Sequence, residues 1–110
     1  MELPTYKDIS PTDGLNLDEA LAAENFQGLS VVDAAVMISD NPSYYLNDFY
    51  HMGERGFCFY LSSIELCVSD VGVGRIFIER FEEIVNYRIT GNPNLEFLCN
   101  DILSRIRSHW

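Results

Sequence analysis

With 110 residues, 47% of them apolar, 13% aromatic and 22% charged, the chain has the composition of one globular domain and is too short for two. That excludes a disordered polymer and a multidomain enzyme. Seventeen acidic against seven basic side chains leave a net charge of -10, which disfavours nucleic-acid binding by phosphate neutralisation and attachment to anionic membranes.

Residues 1–15 carry Pro4, Pro11 and Gly14 without a sustained period and read as an irregular lead-in. Helix signals begin at Asn16, a capping residue with Glu19 three places on, followed by an alanine-rich run that ends before Gly28. Ser30 caps a second predicted helix, with Asp33 at its third position and its end near Asp40. Asn41 and Pro42 open a third, over about 42–52, with Gly53 placed to turn the chain at its end.

From Gly56 the pattern changes. Phe57-Cys58-Phe59-Tyr60-Leu61 is dense in aromatics, and Ile64, Leu66 and Val68 alternate with Glu65 and Cys67, a period of two that predicts strand. Ser62-Ser63 is either a tight turn or the bend of one long strand. Val71-Gly72-Val73-Gly74 reads as a turn, after which 75–79 forms a third strand and 81–89 a short helix, or 75–89 forms one longer helix. Asn92 and Pro93 then open a helix whose Leu95, Leu98, Cys99, Ile102, Leu103 and Ile106 fall on one stripe, with Arg105, Arg107 and His109 suited to the negative end of its dipole. The expected fold is α+β in a single domain: a helical N-terminal half, a small antiparallel β-meander in the middle and a C-terminal amphipathic helix packed on the core.

Catalytic and metal-binding signatures are weak. Cys58, Cys67 and Cys99 form no CxxC pair and no histidine cluster, so reduced thiols in a cytoplasmic protein are the simplest reading. Met1-Glu2-Leu3-Pro4 shows neither a basic nor an apolar signal region, and no apolar run approaches the roughly 20 residues of a membrane span. Gly72-x-Gly74 lacks the third glycine of a dinucleotide fingerprint. His51 and His109 are too far apart in sequence to suggest a triad, and Asp48, His51 and Glu54 recur every three residues, a step that drifts around a helix and converges poorly on an ion. Adjacent acids such as Asp18-Glu19 and Glu82-Glu83 point about 100° apart on a helix and do not share a proton. No catalytic residue, cofactor or metal is therefore expected.

The informative feature is where the charge lies. Residues 1–54 hold ten acids and one base, Lys7, while residues 55–110 hold seven acids and six bases. Same-sign crowding costs stability through self-repulsion, yet it speeds association with an oppositely charged partner. The same half contains Tyr44, Tyr45, Phe49 and Tyr50; on a helical wheel Phe49 and Tyr50 join Leu46 in a core stripe and Tyr44 faces outward. Tyrosine among carboxylates is the composition of an interface anchor ringed by steering charge. The expected partner-binding residues are Asp33, Asp40, Tyr44, Asp48 and Glu54.

In this overall character, a single acidic domain without a catalytic constellation, the chain resembles bacterial immunity proteins, including those paired with contact-dependent growth-inhibition toxins. The resemblance covers size and charge along the whole chain and implies a small binding protein that neutralises a basic toxin, such as a nuclease, by covering its cationic cleft; the sequence does not fix the oligomeric state, and a monomer is the favoured expectation. Three other readings compete. A nucleic-acid mimic aimed at a DNA-binding or restriction-type protein would use the same physics, but calls for regularly spaced carboxylates. A small hydrolytic enzyme would need Asp48, His51, Glu54 and Tyr60 around one polar pocket. A structural subunit would carry its acids for solubility alone.

Overall fold

The computed structural model describes residues 2–71 and 73–108. In chain order it contains α1 (Tyr6–Ile9), α2 (Leu17–Phe26), α3 (Val31–Asp40), α4 (Pro42–Tyr45) followed by a 3-10 stretch (Leu46–Tyr50), and α5 (Glu54–Leu66), extended by a π-helical turn (Cys67–Val71). Then come α6 (Arg75–Gly91), a 3-10 turn (Pro93–Leu95) and α7 (Glu96–Arg107). Among the described residues there is no strand, so the fold is an all-α bundle and the expected α+β class with its β-meander is overturned.

Burial of the middle segment explains the correction. In α5 and its extension the buried residues are Gly56, Phe57, Tyr60, Leu61, Ser63, Ile64, Cys67 and Val68, a repeat of three and four that belongs to a helix. This helix packs against α1, α3 and α7 together, so it needs apolar residues around most of its girth. A helix so loaded produces apolar neighbours at spacing two by coincidence: Leu66, which completed the apparent alternation, is only half-buried. Aromatic and β-branched residues favour strands only where a pleated surface awaits them, and here tertiary packing overrides that preference. Ser62-Ser63, expected as a turn or bend, lies inside α5, where the Ser63 hydroxyl donates to the Val31 carbonyl at 2.8 Å.

The other expected strand, 75–79, opens the seventeen-residue α6, which buries Phe77, Ile78, Phe81, Ile84 and Val85. Gly72, within the expected turn before it, lies outside the described residues, as does His109 after α7. The expected third helix over 42–52 is divided into one α-turn and a 3-10 stretch that brings Leu46 and Phe49 inward. The lead-in is ordered by a capping box: the Thr5 hydroxyl accepts from Asp8 N–H while the Asp8 carboxylate accepts from Thr5 N–H. Ile9 behind it is fully buried, and Gly53 and Gly56 admit this segment. A Cβ on Gly53 would lie 2.5 Å from the Asp8 carbonyl, and one on Gly56 3.0 Å from Ile9.

Long-range contacts set the directions. Ser63 meets Val31 and Cys67 meets Ala35, so α3 runs parallel to α5. Arg105 pairs with Glu65, and Cys99 lies near Cys58, so α7 also runs with α5. Arg107 pairs with Glu82 and Arg88 stacks on Phe57, so α6 returns the opposite way. The core is aromatic where the halves meet: Phe26 lies edge-on to Phe49 at 5.6 Å and beside Tyr60 at 4.9 Å, and Phe49 is edge-on to Phe57. Each fully buried phenylalanine stabilises by about 1.5–3 kcal/mol relative to exposure.

Candidate partner-binding site

Helix α3 owes its start to Ser30, whose side chain accepts from Asp33 N–H at 3.1 Å. Its inner arc holds Ala34, Ala35 and Ile38, all buried against the bundle. Its outer arc spans about 100° and holds Val32, Val36, Asp40 and Asp33 in that order around the wheel. Val32 is 62% and Val36 65% exposed, and both aspartates are exposed. Asp33 and Asp40 sit seven residues apart, two turns, so their Cα atoms are roughly 10 Å apart on one side of the helix. Neither carboxylate has a salt-bridge partner among the described residues.

Asn41 ends α3 and starts α4, donating its N–H to Met37 and accepting from the N–H groups of Tyr44 and Tyr45. Tyr44 therefore leaves the bundle one turn beyond Asp40. It is 45% exposed, with its ring edge-on at 4.9 Å to Tyr45, which in turn packs on Phe26. Tyr44 is thus an exposed ring braced from behind by the core. Of the five expected residues, Asp33 and Asp40 share the outer arc of α3, and Tyr44 is exposed on α4, the next element.

The other two lie elsewhere. Asp48 is 2% exposed, and its carboxylate accepts from the Asn25 side chain at 2.8 Å, tying α2 to the 3-10 stretch. Desolvation pushes its pKa above the ordinary aspartate value, against the lowering by that hydrogen bond and by His51. Glu54 is exposed but begins α5, thirteen residues before Cys67, whereas Asp40 lies five residues past Ala35, the partner of Cys67. That register separates Asp40 from Glu54 by roughly 25 Å along the bundle, well beyond a Debye length of about 8 Å at physiological salt.

The group that would have built an enzyme site is likewise dispersed. His51 Nδ1 faces Asp18 at 3.9 Å, and the Tyr60 hydroxyl is fully buried at 2.7 Å from the Phe26 carbonyl and 2.9 Å from that of Leu29. It closes the C-terminal end of α2, and burial raises its pKa to about 12. No group of three or more metal-binding side chains converges among the described residues. Burial also pushes the Cys58, Cys67 and Cys99 thiols up, Cys99 to about 11, so they sit as small protonated core residues.

Val32 and Val36 are the residues that sequence reasoning missed. The signal was present: Ala34, Ala35 and Ile38 suffice for the inner stripe, which leaves the two valines on the arc of the aspartates. Helix α2 repeats the pattern, with exposed Leu17 and Leu21 one turn apart beside Asp18 and Glu24. No helix among the described residues is long and apolar enough to cross a membrane. Comparison with family models, with curated proteins and with solved structures finds no match to this chain.

Proposed function

We propose that the chain is a small inhibitor of the immunity type, which binds a basic protein, a nuclease toxin in its simplest form, and blocks the cationic cleft with the outer face of α3 and the adjoining α4. The observation that carries this reading is the arc of α3, where two carboxylates without a salt-bridge partner among the described residues lie beside two exposed valines. Unpaired acids on a rigid helix attract a cationic surface and raise the association rate. Val32 and Val36 supply the apolar area whose burial holds the complex, at about 25 cal/mol per Å² removed from water. Tyr44 is the anchor, since a ring already braced by Tyr45 loses little freedom on binding. Asp48 is a structural tie rather than a contact, and Glu54 lies too far from the arc to share one small interface.

Capture from the native host at low salt, with elution by a salt step, tests the proposal. The expected result is a basic protein whose nuclease activity the chain inhibits and which an Asp33→Lys/Asp40→Lys variant does not retain. Capture only of acidic or neutral proteins, or equal retention by the variant, overturns it.

A further inference from the structure

Helices α3 and α5 run side by side in parallel, Val31 meeting Ser63 and Ala35 meeting Cys67. On the solvent side of this seam both helices contribute apolar side chains. Val32 precedes Ala35 by three residues, so it stands at the α5 edge of the outer arc of α3, with Val36 one turn beyond. Leu66 follows Ser63 by three residues on the facing edge of α5, half-buried and level with Ala34, between the two valines along the axis. This apolar strip is bordered on its α3 side by the exposed Asp33 and Asp40, and the π-helical turn beyond Leu66 adds the exposed Asp70. No lysine or arginine occurs between Asp8 and Glu54, so nothing on α2, α3 or α4 repels an approaching cation. The base on α5, Arg55, lies eleven residues before Leu66, about 16 Å along the helix, and faces Asp8.

We infer that this strip receives a cationic amphipathic helix of a partner protein, its apolar row on Val32, Val36 and Leu66 and its bases toward Asp33 and Asp40. The inference deepens the inhibitor reading and rests on it only for what the partner is. Charge complementarity fixes the sign of the occupant, and spacing fixes its form. Val32 and Val36 stand about 6 Å apart along α3, and Asp33 and Asp40 about 10 Å, the rises of four and seven helical residues. A helix laid alongside matches both distances with side chains of one face. An extended chain returns to the same face only every 6.7 Å or so, and a base about 10 Å along it points away. Strand addition has no template either, since the described residues contain no sheet edge. A helix seated in a groove is held by side chains alone, which is what the outer surface of two packed helices offers.

The probe is an alanine-based helical peptide of about 18 residues with leucines four apart and lysines seven apart on one face. Methyl signals of Val32, Val36 and Leu66 are followed by NMR as it is added. The controls are an isomer of identical composition with those residues scattered around the helix, and a version broken by a central proline. Saturable shifts at the three residues are expected, with affinity that falls as salt is added. Binding should be at least about tenfold weaker for the isomer, for the proline version and for Asp33→Lys/Asp40→Lys. A peptide with glutamates in place of the lysines should bind that double variant better than it binds the parent. Val32→Ser/Val36→Ser should weaken the lysine peptide while its salt dependence is kept. Absence of saturable shifts, equal binding of the isomer or of the proline version, undiminished binding by the lysine variant, or shifts confined to other helices each overturn the inference. Failure of the peptide beside capture of a basic nuclease removes the helical occupant alone. Peptide binding with only acidic or neutral proteins captured removes the inhibitor reading alone.

Discussion

Residues 1–54 and residues 55–110 fold into one bundle but use charge in opposite ways. In the second half, bases meet acids: Arg75 with Glu79, Arg105 with Glu65 and Asp101, and Arg107 with Glu82. In the first half the engaged acids serve mainly the backbone or other polar groups, although Asp8 also faces Arg55 and Asp18 faces His51, each at 3.9 Å. Asp8 caps α1, Glu19 accepts from the N–H and hydroxyl of Thr12, and Asp48 holds Asn25, while Asp33 and Asp40 point outward with no cation opposite. The charge asymmetry is therefore a matter of placement as well as composition. The second half pairs three of its six bases with its own acids, and the first presents negative charge on helices whose inner faces are already fixed.

The seam between the halves is where substitution has the largest effect. Arg88 donates from Nη1 to the Met52 carbonyl at 2.6 Å and to those of Phe49 and Tyr50 at 3.3 Å, and its guanidinium stacks 4.6 Å from the Phe57 ring. Burial lowers its pKa from the ordinary arginine value, but the group stays charged. Arg88→Met leaves three carbonyls without their donor and should destabilise by about 3 kcal/mol in urea unfolding. A change under about 1 kcal/mol would mean that the halves are not pinned there. Tyr60→Phe removes the hydroxyl that serves the Phe26 and Leu29 carbonyls, and should cost about 1–2 kcal/mol in the same assay while the helical circular dichroism is unchanged.

Asp48→Asn sharpens the comparison through pH. Because the folded-state pKa of Asp48 is raised by desolvation, its contribution to stability is fully present below the ordinary value of 3.8 and is lost as pH rises through the higher folded value. The asparagine variant keeps an acceptor for Asn25 and removes the buried charge. Its unfolding midpoint at neutral pH should therefore rise modestly above the parent's, and the gap should close under acid. A gap that widens on acidification would show that the carboxylate is stabilised by its surroundings instead.

Much of the first half was legible in the sequence, because caps are local. Asn16 and Ser30 accept from Glu19 N–H and Asp33 N–H as their spacing predicts, and the buried positions of α7 follow its stripe except for Leu98, left at the rim. The middle was not legible: α5 is enclosed by three other helices, and a helix that is apolar nearly all round carries no clean period. Thr5 and Asp8 held a readable capping box that Pro4 and Pro11 obscured. Within the site, Asp33, Asp40 and Tyr44 could be placed outside by a helical wheel. The burial of Asp48 could not, because its partner Asn25 is twenty-three residues away, and the displacement of Glu54 depends on the register of α3 against α5.

If the outer arc of α3 docks a basic partner, the association rate must depend on its two aspartates and on salt. With the captured partner, Asp33→Lys/Asp40→Lys should lower the association rate by at least about tenfold at low salt and flatten its salt dependence. Glu79→Lys/Glu82→Lys, on the second half, should leave both nearly as they are. Equal rates and equal salt slopes for the two variants would contradict the account.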